Sequence, residues 1–133
     1  LGFAFKPNTN DTRESPSINV CRDLLEEGCF LSIYDPKVNG KQIENALKNQ
    51  DILDKLEPNK SNNIMIANTV EEAVLNSDAI IILTDWEQFY NLDYEKIHSL
   101  MRVPSWIFDT RNVINSKDAK LFGFKVWKLG EGK

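Results

Sequence analysis

The chain has 133 residues, 41% of them hydrophobic and 27% charged, the make-up of one ordinary globular domain around a single core. Sixteen basic residues against twenty acidic ones leave a net charge of −4, which opposes general attraction to nucleic acid or an anionic membrane; an anionic ligand must be met by a few local cations. Two cysteines and one histidine make neither a multi-bridge secreted framework nor a recognisable zinc pattern, and the longest apolar run, residues 79–83, falls far short of the about 20 residues that span a bilayer, so a cytoplasmic protein is expected.

Residues 1–5 read as a short buried strand ended by Lys6-Pro7 and followed by a polar loop through Glu14. The chain begins without Met inside this apolar stretch, and a fragment of a longer protein is the expectation. Ser15 is a good N-cap and Pro16 suits the first helical position. Ile18, Cys21, Leu24 and Leu25 then form one apolar stripe, and Gly28 closes the helix. Residues 29–34 predict a second strand, stopped by Asp35-Pro36. Residues 37–63 are polar, with a weak helical stretch over 43–56.

Residues 64–67 predict a third strand, and Thr69 with Glu72 has the spacing of a capping box ahead of Val70, Ala73 and Val74. The run 79–83 is apolar at every position, as for a central parallel strand covered on both faces. A helix over 94–101, a fifth strand over 106–108, a polar segment over 115–121 and an edge strand over 124–127 complete the chain. Strands and helices alternate throughout, which predicts an α/β fold: a three-layer α/β/α sandwich around a mostly parallel, Rossmann-like sheet of five to six strands.

In open parallel sheets ligands sit outside the carboxyl ends of the strands, so the residues after each apolar run are the candidates. Three such ends stand out: Phe5-Lys6, Thr84-Asp85-Trp86 and Asp109-Thr110-Arg111. Two cations with aromatics on one rim suit a phosphate-bearing ligand with a planar base. Each has an ordinary alternative. A Lys or Arg past a strand is commonly a solvated charge, Trp86 and Phe89 can be packing under a loop, and Asp35 can simply begin a turn with Pro36. Cys21 and Cys29 read as core residues, and His98 has no second ligand in view. The absence of a Gly-x-Gly-x-x-Gly after the first strand excludes the primary dinucleotide-binding half of a dehydrogenase. Phe5-Lys6, standing where a receiver domain needs clustered carboxylates, argues against that alternative.

The run Leu1-Gly2-Phe3-Ala4-Phe5-Lys6-Pro7-Asn8-Thr9-Asn10-Asp11-Thr12-Arg13-Glu14-Ser15 resembles the segment that opens the UDP-binding domain of UDP-glucose 6-dehydrogenases. The likeness continues through Tyr34-Asp35-Pro36-Lys37-Val38, Thr84-Asp85-Trp86-Glu87-Gln88-Phe89, Leu92-Asp93-Tyr94 and Ile107-Phe108-Asp109-Thr110-Arg111. Residues 37–63 diverge, and Asp85 stands where a Glu is commoner.

The resemblance implies a single C-terminal UDP-binding domain, residues 1–133, of an enzyme that oxidises UDP-glucose to UDP-glucuronate with two NAD⁺ in succession. The catalytic cysteine, its proton-handling partners and the Gly-rich NAD loop would lie outside this chain, so this chain by itself should not turn over. By the same resemblance Phe5, Lys6 and Arg111 contact the nucleotide sugar, and Arg13 reaches the NAD held mainly by the missing N-terminal domain. The implied partners are UDP-glucose, that N-terminal domain, and further copies of the full-length chain in a homo-oligomer. A sister enzyme acting on GDP-mannose or a UDP-N-acetylhexosamine, and a non-catalytic nucleotide-sugar-binding module, are the alternatives.

Overall fold

The computed structural model describes residues 1–49 and 62–131, and the part of the weak helical stretch over 50–56 lies outside the described residues. Among the described residues, five short strands alternate with helices in chain order: α1 (Pro16–Glu26), β1 (Leu31–Ile33), α2 (Gly40–Asn49), β2 (Ile64–Ile66), α3 (Val70–Val74), β3 (Ala79–Ile82), a 3₁₀ turn (Glu87–Asn91), α4 (Tyr94–Leu100), β4 (Trp106–Asp109), α5 (Ser116–Leu121) and β5 (Lys125–Lys128).

The helices begin where side chains can satisfy the free amides of a first turn. Ser15 accepts from Ser17 N, Asn39 from Gln42 N, Thr69 from Glu72 N, Asp93 from Lys96 N, and Asn115 from Asp118 N. In α1 the expected stripe turns inward, with Ile18, Cys21 and Leu25 buried and Leu24 partly so. Gly28 closes it at φ +86, its amide donating to the Leu25 carbonyl. α5 departs from expectation. The polar segment over 115–121 is a helix, because the Asn115 cap and one buried residue, Ala119, are enough to dock a single turn and a half against β5.

The strands are all parallel and form two small sheets, β1-β2 and β3-β4-β5. The first segment, expected to be a strand over residues 1–5, is not one. It runs between β1 and β3 and bonds to both: the Leu1 amino group donates to Ile81 O at 2.6 Å, Leu83 N to Leu1 O at 3.0 Å, and Gly2 N to Tyr34 O at 2.8 Å. The ladder stops there because the next two amides, of Phe3 and Ala4, turn to the Asp35 side chain instead.

The expectation that the run 79–83 is covered on both faces also changes. Along β3 and β4, Ile80, Ile82, Ile107 and Asp109 are buried, whereas Ala79 is exposed and Ile81, Trp106 and Phe108 are only half-buried. The partly open face is aromatic: Trp106 stacks on Phe108 at 5.5 Å, Phe108 leans on Trp127, and Lys125 lies over the Trp106 ring. β1 begins later than expected, since Phe30 is 84% exposed and outside the strand. The core proper gathers Phe3, Ile43, Leu47, Ile82, Phe89 and Ile107.

Candidate functional site

The carboxyl ends of the first segment, β3 and β4 meet at one rim. Gly2 makes this possible. It holds φ +88, and a Cβ there would lie 2.6 Å from Thr84 Cβ and 2.8 Å from Thr84 N. With no side chain at Gly2 the chains close up, and the buried Thr84 hydroxyl donates to Ala4 O at 2.8 Å.

Asp35 underlies the first loop. One side-chain oxygen accepts from Phe3 N (2.8 Å), Ala4 N (2.9 Å) and the Trp86 indole N–H (3.0 Å); the other accepts from Lys37 N (2.8 Å) and Val38 N (3.0 Å). Five donors on one buried acid join the ends of three chain segments. The turn with Pro36 is therefore the smaller part of what Asp35 does. Trp86 and Phe89 are both buried, which settles them as packing under the rim.

Past this anchor Phe5 and Lys6 emerge exposed, Phe5 at 45%. Phe5 N donates to Asp11 O at 2.7 Å and closes the loop. Arg13 folds back on Asp11 with a bidentate pair, Nε and Nη2 each 3.0 Å from a carboxylate oxygen, while 88% of its side chain remains exposed. Hydrogen bonds from Arg13 hold the Asp11 carboxyl down to about 2, and the charge of Lys6 adds to the shift, which places Lys6 within electrostatic reach of the same acid. Asn8 and Glu14 in this loop, and Asn112 in the next, take positive φ. Such strain in non-glycine residues persists where surrounding contacts over-determine the backbone, and it gathers at functional loops.

Asp109 performs at β4 the task that Asp35 performs at β1. It is fully buried and accepts from Arg111 N (3.0 Å), Val113 N (2.8 Å) and Ile114 N (2.7 Å). The Arg111 side chain crosses to β3 and gives Nε and Nη2 to Asp85 Oδ1 at 3.3 and 3.0 Å, both side chains about one-third exposed.

Of the residues singled out in the sequence, Phe5, Lys6 and Arg13 thus share one loop. Arg111 stands on a neighbouring chain end, linked to that loop through Asp85, Thr84 and Ala4. Sequence reasoning named Asp35, Asp85 and Asp109 at the chain ends but gave none of them an anchoring or orienting role. A usable signal existed: an acid placed directly after an apolar strand, with no basic residue at helical spacing to neutralise it.

A cavity of about 380 Å³ lies elsewhere, between α1 and α3, and is lined by residues such as Leu24, Leu31, Ile64, Val74 and Ile80. It is mainly apolar and presents no lysine or arginine, so it does not suit an anion. A second hollow of about 350 Å³, bordered by Tyr34, Thr69, Glu71, Gln88 and Asp93, presents none either. Neither contains Phe5, Lys6, Arg13 or Arg111.

Comparison with known proteins gives this rim a context. A family model described as the UDP-glucose/GDP-mannose dehydrogenase family, UDP binding domain, matches residues 1–116. The chain is 40% identical over 131 residues to UDP-glucose 6-dehydrogenase of Drosophila melanogaster, covering 98% of this chain and 27% of that protein. It is 38% identical over 138 residues to UDP-glucose 6-dehydrogenase 2 of Arabidopsis thaliana, covering 98% of this chain and 29% of that one. The chain therefore spans less than a third of these relatives. Among solved structures it resembles the NDP-N-acetyl-D-galactosaminuronic acid dehydrogenase of Methanosarcina mazei Go1, with a TM-score of 0.75 and 24% identity over 98% of this chain and 23% of that one, a likeness of fold.

Proposed function

Since the chain belongs to the UDP-glucose/GDP-mannose dehydrogenase family and carries its UDP-binding domain, we propose that its cationic rim holds the UDP portion of UDP-glucose for an NAD-dependent UDP-glucose 6-dehydrogenase. In this reading the chain is the C-terminal part of a cytoplasmic enzyme that converts UDP-glucose to UDP-glucuronate in two hydride transfers. The relatives at 35 to 40% identity, named UDP-glucose 6-dehydrogenases, support the choice of sugar. The reading also takes residues 1–4 as the bridge that joins the two parallel sheets into one Rossmann-like layer, supported by the bonds of Leu1 and Gly2 to Ile81, Leu83 and Tyr34.

Each rim residue has a physical task in this proposal. Arg111 offers planar donors to a diphosphate, Lys6 a mobile point charge, and Phe5 an apolar wall beside the base or sugar. NAD⁺, when bound, accepts the hydride. In this reading the chain offers it one candidate group, Arg13, which is paired with Asp11, and another domain holds most of the cofactor. Arg13 would then present its exposed guanidinium across the cleft, and closure of the two domains would expel water from the reacting centre.

The observation that carries the reading is Arg111, fixed at its backbone by Asp109 and at its side chain by Asp85 on the rim next to the Phe5–Lys6 loop. Arg111→Ala is expected to weaken UDP binding roughly tenfold to a hundredfold, the loss of one charge-assisted contact. Calorimetry with UDP measures this, and unchanged affinity removes Arg111 from the site.

A further inference from the structure

The rim contains a carboxylate next to its best phosphate-binding group, which on charge alone ought to weaken an anion site. The geometry of the pair says otherwise. Asp85 meets Arg111 through a single oxygen, Oδ1, and takes the side edge of the guanidinium, Nε with Nη2. Nη1 has no partner among the described residues, so its two N–H groups and the outer N–H of Nη2 remain available. Those are the donors of the end-on edge, the one that meets two oxygens of a phosphate in parallel. Asp109 meanwhile fixes the Arg111 amide from below.

We propose that Asp85 is a positioning residue for Arg111, holding its guanidinium by the side edge so that the end-on edge faces the diphosphate of the bound nucleotide. This rests on the reading of the rim as a UDP site. The physical gain is pre-organisation: an arginine whose long side chain is already immobilised loses less rotamer freedom when the ligand arrives. A carboxylate that competed with the ligand for the guanidinium's N–H donors would occupy the end-on edge instead.

The pair is partly exposed, so Asp85 can be changed without opening the core. The test is nuclear magnetic resonance titration of the protein with UDP and, separately, with uridine, for the wild type and for D85N, D85E, R111A and the D85N/R111A double variant. D85N is expected to lower UDP affinity at least about fivefold, in line with coupling between contacting residues, and to leave uridine affinity unchanged. D85E is expected to restore UDP binding, and D85N to have no further effect once Arg111 is absent. Equal or tighter UDP binding by D85N overturns the assignment and makes Asp85 a bystander or a competitor. So does an equal loss for uridine, or a loss that persists in the R111A background. If the wild-type protein does not bind UDP, the reading of the rim falls, and this assignment with it.

Discussion

Asp35 and Asp109 show how much of a binding surface can depend on groups that never reach the ligand. Each is a buried acid whose oxygens are filled by backbone amides at the end of a parallel strand, and each steadies a loop bearing a candidate contact. Asp35→Asn places an NH₂ group where at least two N–H donors now converge. A loss of at least about 2 kcal/mol is expected, the cost of buried donors left unpaired, read from urea unfolding. Cys21 makes a different point. Burial pushes its thiol up to about 12 from the usual value of 9.0, so the folded protein keeps the proton that the unfolded chain releases. The stabilisation is complete below pH 9 and declines towards pH 12, at up to about 1.4 kcal/mol per pH unit. Wild type should lose stability over that range more steeply than Cys21→Ala, and Cys21 should resist alkylation near neutral pH. Equal slopes, or ready alkylation, would contradict its burial.

At the scale of elements, glycine and capping residues decide where each piece of chain turns. Gly2 and Gly28 share a left-handed φ near +88 and +86, but their surroundings differ: a Cβ at Gly28 meets nothing within 4 Å, whereas one at Gly2 strikes the Thr84 backbone. Gly28→Ala should therefore cost roughly 1 kcal/mol, the backbone penalty alone. Gly2→Ala should cost clearly more and also weaken UDP binding, because it forces apart the two chain ends that form the rim. Thermal melts with a UDP titration compare the two variants; similar losses in both would mean that the close approach of Gly2 to Thr84 is unimportant. The caps at Ser15 and Thr69 were legible in the sequence because they depend only on residues a few positions away. The helix over Ser116–Leu121 was not, since a single buried alanine leaves almost no periodicity to read.

For the molecule as a whole, a net charge of −4 with only Lys6, Arg13 and Arg111 of its sixteen cations proposed for the rim means that binding should be local and modest in strength. The protein is expected to bind UDP weakly and to produce no NADH from UDP-glucose and NAD⁺; appreciable turnover would refute the assignment of catalysis to another domain. The alternation of strands and helices, the rim position of Phe5, Lys6 and Arg111 after apolar runs, and the family likeness were all present in the residues themselves, because hydrophobic period and turn chemistry are local properties. Tertiary structure alone decided that Ala79 and Ile81 face outward and that residues 1–4 link two sheets instead of forming a strand. It alone showed that Asp35, Thr84 and Asp85 join distant segments into one rim. These depend on which side chain reaches which partner across 26 to 80 positions of sequence, and no local pattern carries that information.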